Sequence, residues 1–491
     1  MDIQDLHCIV IGAGTGGLAA GALLARKGAQ VTLLEMQDYP GGCAGTFSLG
    51  GYRFDAGATI GCGFHEGGPM DALGRELDIS WPVKLEPVAW QYRHRDLSLD
   101  LTLTRTAVLD RFPRSAAFWK EQSMLAELLW KLSYGGLSWP VASPRDLANL
   151  AQKAVTAFPG TARLLKFATM TALEWLESHG LNTDGQFVRF IDAQLLVSVQ
   201  TTSRFANAVN AAIALDLPVS GASRIDGGIG RIPELLADSI ERYGGAVLYG
   251  KKVDRIDSIR REVLGVETTD GDALAADLVI ANLTPDSLAL LEGRTPEPAV
   301  ETLPPRWGAF TLYLGVDSAA FSLPGINHVQ ITASEGELGE GRSIFVSISP
   351  EDDPTRSPDG LRAVTISTHT RPGPWFEALA QSRQSYQEMK ERYTSEVLSL
   401  LKEQLPEAAG AIRSITAGTP VTWERWTGRR GGYVGGYPQT SLFDVRSPSS
   451  NYDNLFFVGD SIFPGQSMPG VVTGARRCVE LALRRYGKKG G

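Results

Sequence analysis

The sequence predicts an α/β fold whose first strand runs into a helix through a glycine turn. Three stretches carry that expectation. "HCIVIGAG" is a continuous apolar run that ends in glycine, as a buried parallel strand does. "GLAAGALLARKG" reads as a helix of small residues stopped by Gly28, and "AQVTLLE" as a second strand. A chain of 491 residues is too long for one core, so at least two domains are expected.

The first turn carries chemistry. Gly12, Gly14 and Gly17 form GxGxxG at the strand-to-helix junction. The first glycine permits the turn, the second lets a pyrophosphate approach, and the third lets helix and strand pack closely. Glu35 ends the second strand 23 residues after Gly12, where a carboxylate accepts hydrogen bonds from ribose hydroxyls. Together these define a Rossmann-like dinucleotide site. The next stretch, "YPGGCAGTFSLGGYRFDAGAT", narrows the ligand. Gly41 and Gly42 come a few residues after Glu35, where a chain folding back along a flavin must exclude side chains. NAD enzymes have no such need, so FAD is the expected cofactor, in a domain of the glutathione-reductase-like type.

Later elements agree. Residues 224–259 read as a glycine turn, an amphipathic helix, a Gly-Gly stop and a strand, and Val253 on that strand is assigned to the cofactor site. "VLGVETTDGDALAADLVIANLTP" reads as a hairpin with an Asp-Gly turn followed by a buried strand. "NLFFVGDSIFPGQSMPGVVTGARRCVELAL" reads as strand, Gly459-Asp460, a Pro/Gly-rich turn, and a helix starting near Pro469. Asp460 is expected to accept hydrogen bonds from the ribityl chain. The helix N-terminus beside Met468 is expected to face the flavin pyrimidine edge and favour the charge that reduction places there. A docking helix with no ligand is the plainer alternative.

Composition limits the function. Net charge is -8, which argues against a nucleic-acid partner. Cys8, Cys43, Cys62 and Cys478 form no CxxC pair and no metal spacing, so no metal and a reducing, cytoplasmic compartment are expected. No run of 18 apolar residues suggests a spanning helix. Charge is uneven: residues 105–175 carry nine Lys/Arg and five acids, and six of the ten Trp lie between Trp81 and Trp175.

On "GAGTGGLAAGALLARKG", "PGGCAGTF", "YRFDAGAT", "GGIGRIPELLA" and "FVGDSIFPGQSMPG", the chain resembles the flavin-dependent carotenoid desaturase and isomerase family, related to bacterial-type phytoene desaturases, nearly end to end. Many phytoene desaturases carry Arg where Cys43 stands here. With "EGGPM" and "FPRSAAFW", that departure leans toward the C-3′,4′ desaturase and isomerase branches. The resemblance implies an FAD domain from residues 1–85, 220–300 and 425–491, and a discontinuous α+β substrate domain from 86–219 and 301–424. By period, 86–219 is mostly helical, while "WGAFTLYLGVD", "RSIFVSIS" and "RAVTISTHT" are strands and "PEDDPTRSPDG" a polar hairpin loop. It also implies a hydrophobic polyene substrate taken from a membrane surface. Residues 146–176, with Lys153, Arg163, Lys166 and the clustered Trp, fit an interfacial segment drawn to anionic lipid, and equally an ordinary helix pair with Trp in its core.

The expected reaction is desaturation, with hydride passing from an allylic carbon to flavin N5. The site is expected to be apolar, because a hydrocarbon offers no polar handle. No general base is forced by the sequence. His65, after the "AGAT" turn, and His369, in "STHT", are weak proton-relay candidates, and a hydrogen-bonded loop histidine is the plainer reading of the first. Tyr433 and Tyr437, in the Gly-rich "ERWTGRRGGYVGGYP", are expected along the substrate tunnel. Covalent flavin attachment at Cys43 is conceivable but disfavoured, and Cys478 reads as core. No second strand-helix GxGxxG is found, so electrons are expected to leave to a quinone or oxygen. The alternatives are a carotenoid cis–trans isomerase using reduced FAD, a non-catalytic lipid-binding relative like Rab GDP-dissociation inhibitors, and an amine oxidase.

Overall fold

The computed structural model of the chain describes residues 3–134, 136, 138–158, 160–296, 303–320 and 323–489. The expected domain boundary between residues 300 and 301 lies outside them.

A five-stranded parallel sheet carries the order Ala246–Leu248, Gln30–Leu34, His7–Ile11, Leu278–Ala281, Leu455–Phe457. Its central strands are buried on both faces, which is why they read as unbroken apolar runs. The helix Thr15–Arg26 covers one face with alanines and leucines. Two more helices pack beside it, Arg231–Arg242 and Met468–Lys489, and they share its core with Leu18, Leu236 and Val472. The Asp-Gly hairpin is present between Glu262–Thr268 and Ala273–Ala275, with Gly271 at a positive φ.

The second sheet has seven strands in the order Ile412–Gly418, Gly308–Asp317, Leu361–Thr370, Ser343–Ile348, His328–Thr332, Trp90–His94, Leu97–Leu101. Three of these were read from period. The other four strands were not. Trp90–His94 and Leu97–Leu101 form a hairpin at the start of the stretch read as helical. Its alternation of buried Leu97, Leu99 and Leu101 with exposed Ser98 and Asp100 is only five residues long, too short to stand out. The sheet has two unlike faces. Phe310, Leu312, Val329, Ile344, Val346 and Ile366 pack against the helices that carry Trp375, Tyr393 and Leu401. The residues between them in sequence point the other way.

Residues 350–360 do close a hairpin, but not merely as a solvated loop. Buried Arg356 pairs with buried Asp55 at 3.0 Å. Asp55 also accepts from the Thr46 hydroxyl at 2.7 Å and the Ile229 amide at 3.0 Å. The "YRFD" aspartate thus ties the segment after the Gly-Gly doublet to the "GGIG" turn and to the second sheet.

His328 lies in this framework, buried, with Nδ1 2.9 Å from the Ser347 hydroxyl. Burial first, then the Arg356 charge, pushes its pKa down to about 3. The folded protein keeps it neutral, while the unfolded chain protonates it near the ordinary value, so stability falls as pH drops through that window. Between about pH 7 and pH 5 this one group is expected to cost on the order of 2 kcal/mol. Thermal melts across that range should show a shallower slope for His328→Asn than for the natural chain. An identical slope would remove His328 from the account.

The tryptophan cluster is mostly core. Trp90, Trp119 and Trp175 are buried, and the Trp175 indole donates to Glu121 at 2.8 Å. Trp81 donates to the Met70 carbonyl and Trp130 to Asp216. The reading of these tryptophans as interfacial residues is therefore corrected. Trp119 and Trp175, on helices, and Trp90, on a strand, fill one hydrophobic core instead.

Candidate flavin site and the cavity beyond it

A cavity of about 870 Å³ runs between the two sheets. Its first part is built by the glycine turn. Gly12 takes φ of 93°, open to glycine and strained for other residues. A Cβ on Gly14 would sit 2.3 Å from Asn282 Nδ2, and one on Gly17 would sit 2.4 Å from the Gly12 carbonyl oxygen. Gly12 and Gly14 line the cavity; Gly17 is packed behind it, where it sets the strand–helix distance.

Glu35 lies at the rim of this cradle, buried, with both carboxylate oxygens engaged. One accepts from the Ala13 amide at 2.7 Å and the other from the Gln37 amide at 2.8 Å. Burial raises its carboxyl pKa and these amides oppose that rise. Each oxygen keeps a second lone pair for a ribose hydroxyl. Removing the whole side chain would also strand two amides, so Glu35→Gln is the cleaner probe. It is expected to weaken FAD binding by about 1.5–3 kcal/mol, the value of a charge-assisted hydrogen bond. Flavin titration of the apoprotein measures it, and unchanged affinity would take Glu35 out of the ribose contact.

The Gly-Gly doublet folds back against the fingerprint. Gly41 donates to the Ala13 carbonyl at 2.8 Å and forms a parallel bridge with Gly14. Its φ is 119°, and a Cβ there would lie 2.6 Å from Gly45 Cα. Gly41, Gly42 and Cys43 line the cavity, as do Val253, Gly459, Asp460 and Met468. The Cys43 thiol is buried and burial raises its pKa, so it is held protonated, unsuited to acting as a nucleophile.

Asp460 is held differently from the sequence expectation. Arg429 Nη2 lies 2.8 and 2.9 Å from its two carboxylate oxygens, and Arg429 Nε donates to the Tyr433 carbonyl at 2.8 Å. Burial disfavours the arginine's charge, and Asp460 more than compensates, raising its pKa. Any ribityl contact made by Asp460 is thus made by a carboxylate already paired.

Four residues on this wall were missed by sequence reasoning. Asn282 follows the buried strand Leu278–Ala281 and fills the space against Gly14, Gly16 and Gly459. Its place at the carboxyl end of a central parallel strand was the available signal. Among the described residues, the buried Thr15 hydroxyl in the cradle and the buried Trp423 indole N–H have no hydrogen-bond partner. Arg429 sits in "GRRGG", where nothing distinguishes it from Arg430.

Three expected residues lie elsewhere. His65 is not on the cavity wall, although Gly57, Ala58, Thr59, Ile60 and Cys62 of the same stretch are. Its ring instead packs edge-on to Trp130. Tyr433 and Tyr437 are also off the wall; Val434 and Gly435 between them line it. Tyr433 is turned under the Arg306 guanidinium, 4.1 Å from its ring centre. His369 does line the cavity, against the edge of Trp307. Burial pushes its pKa down to about 4, so it is neutral near pH 7.

The strand–glycine–helix turn, the acid at the second strand end, the doubled-back Gly-Gly loop and the unpartnered Thr15 hydroxyl suit FAD, and together they define a flavin-dependent oxidoreductase. The chain belongs to the flavin-containing amine oxidoreductase family, whose model matches residues 15–483. It is 27% identical to prolycopene isomerase 2, chloroplastic, of an Oncidium hybrid cultivar, across 99% of this chain and 85% of that one. It is also 27% identical to the phytoene dehydrogenase of Streptomyces griseus, across 96% and 94% of the two chains. Among solved structures, an oxidoreductase from Methanosarcina mazei shares the fold at a TM-score of 0.64 and 17% identity, covering 97% of this chain and 100% of that one.

Proposed function

We propose that the protein desaturates a long polyene of the carotenoid type at the membrane surface. The observation that carries this reading is the cavity itself, which continues past the flavin cradle between the helix Gly185–Val199 and the seven-stranded sheet. Leu196, Val197, Leu217 and Phe345 give that continuation apolar side chains against which a hydrocarbon chain can pack. Bound FAD supplies the hydride acceptor. The protein's own residues hold the chain by shape, exclude water, and fix which carbon faces the flavin. Each new double bond would give up a hydride from an allylic carbon to bound FAD and a proton from its neighbour, which passes out to bulk water. The two electrons then leave to a quinone or oxygen, and the single dinucleotide fingerprint supports an acceptor of that kind. Asp460, Met468 and the glycines named above are assigned to FAD.

A second reading, cis–trans isomerisation with reduced FAD, is favoured by the end-to-end similarity to a prolycopene isomerase. Product mass separates the two. Desaturation under oxidising conditions lowers the mass by two hydrogens per step. An unchanged mass with altered geometry, obtained only with reduced flavin, would replace the first reading by the second.

Access from the bilayer is supported by an exposed apolar face. No helix among the described residues is long and apolar enough to cross a membrane. The helices Pro144–Thr156 and Gly160–Phe167, with Phe158 from the turn after the first, however, expose Leu147, Val155, Phe158 and Leu165, the last at 76%. Arg163 and Lys166 flank them. The pair is pinned to the flavin side by Asp146, which is buried between Arg477 and Arg484 at 2.8 and 3.1 Å. An apolar outer face with flanking cations suits the headgroup boundary. The double variant Phe158→Glu, Leu165→Glu is expected to weaken binding to anionic vesicles on the order of 100-fold, with thermal stability unchanged. Flotation that does not respond to it would move the membrane contact elsewhere.

A further inference from the structure

Resting on the polyene reading above, we propose that the substrate carries a hydrogen-bonding oxygen, a hydroxyl or a carbonyl, and that Ser367 and His369 select for it. The cavity-facing side of the seven-stranded sheet points to it. One face of this sheet is apolar and packed. The other lines the cavity with Ala309 and Phe345 and, beside them, the polar Thr311, Gln330, Ser343, Ser367 and His369. A plain hydrocarbon has no use for such a wall.

Most of these groups already satisfy one another. Gln330 donates to the Ala193 carbonyl at 2.8 Å and accepts from Gln194 at 2.6 Å. Gln194 in turn accepts from the Trp90 indole at 3.0 Å. The Thr311 hydroxyl donates to Tyr313 at 3.2 Å, and the Ser343 hydroxyl accepts from the Gly339 amide at 2.8 Å. Two groups stand apart. Among the described residues, neither the Ser367 hydroxyl nor either His369 ring nitrogen has a hydrogen-bond partner.

These two lie two positions apart on the strand Leu361–Thr370, so they share its cavity face with Cα atoms about 6.6 Å apart. Ser367 lies inside a row across the sheet: Gln330 pairs with Phe345, Phe345 with Ser367, and Ser367 with Thr311. Gln330, two strands away in this row, is therefore held in place by Ala193 and Gln194, while Ser367 stays open. A neutral imidazole offers one N–H and one acceptor, and a serine hydroxyl offers both roles. A ligand oxygen meets that set. A methyl-ended chain covering the same wall would strand both groups away from water, which is how a polar site rejects an analogue lacking the polar atom.

The test uses the FAD-loaded full chain. Three linear carotenes of equal length, ending in hydrogen, a hydroxyl or a ketone, are titrated while the polyene band shift is followed, and KM and kcat are measured separately. The natural chain is expected to bind an oxygenated form roughly tenfold or more tighter than the hydrocarbon. Ser367→Ala and His369→Leu should each reduce that ratio, through KM rather than kcat, with flavin content and melting temperature holding the fold constant. The hydroxyl and ketone arms identify which oxygen is preferred. Equal binding of all three, or variants that leave the ratio unchanged, overturns this inference alone. Binding of none overturns it together with the polyene reading.

Discussion

Replacing Arg429 by methionine is expected to destabilise the protein by about 3–5 kcal/mol, because it leaves the Asp460 carboxylate without its counter-charge. The side chains of both residues are over four-fifths buried, at 18% and 15% exposed, so solvent is a poor substitute for the lost partner. Arg429 also donates to the Tyr433 carbonyl, so the chain leading to Val434 and Gly435 on the cavity wall loses an anchor. Asp460→Asn should be less severe, since the amide oxygen still accepts a hydrogen bond while the arginine loses its ion pair. The double variant Arg429→Met, Asp460→Leu should recover much of the stability, as paired removal of a buried ion pair does. Chemical denaturation of the apoprotein reads the stability, and flavin titration reads the site. Recovery of stability without recovery of flavin affinity would assign Asp460 a direct contact with FAD. A single Arg429→Met variant as stable as the natural chain would mean that the pair contributes nothing.

Gly17→Ala is the second large effect. The added Cβ would lie 2.4 Å from the Gly12 carbonyl and 2.9 Å from Asn282 Cβ. The first is backbone, so no side-chain rotation relieves it. Helix Thr15–Arg26 must retreat from the strand His7–Ile11, and the cradle between them opens. Flavin affinity is expected to fall at least 100-fold, about 2.7 kcal/mol. Gly17 itself is not on the cavity wall, so the loss would come from geometry and not from a blocked contact. Retention of FAD at the natural affinity would show that the turn tolerates a wider helix–strand spacing than the packing implies.

The parts legible in the sequence were those with local causes. The unbroken apolar strands and the glycine turn are dictated within about 30 residues, and the Asp270-Gly271 hairpin within a handful. Gly12, Gly14, Glu35 and the Gly41-Gly42 doublet could be placed because each answers a steric or hydrogen-bonding demand of its own segment. What escaped is set by distant partners. Arg429 finds Asp460 across 31 positions, and Asp55 finds Arg356 across the whole length between two sheets. Asn282 matters because of what faces it, not because of its neighbours in sequence. The expectation of an apolar site left out the polar groups Ser367 and His369 for a related reason. It came from the substrate class, whereas the alternation in "RAVTISTHT" already placed Ser367 and His369 on one face and valine and isoleucine on the other. Sequence period showed two faces; only the sheet order showed which one met the cavity.

If one cavity joins FAD to a long polyene, hydride passes directly between them. Single turnover without oxygen tests it most directly. Purified protein with oxidised FAD is mixed anaerobically with a carotene, and the flavin and polyene spectra are followed together. The oxidised flavin is expected to bleach, matched one-for-one by a product two hydrogens lighter with a longer conjugated system. A polyene that binds and changes while the flavin stays oxidised, or a flavin that bleaches with no matching product, would contradict it.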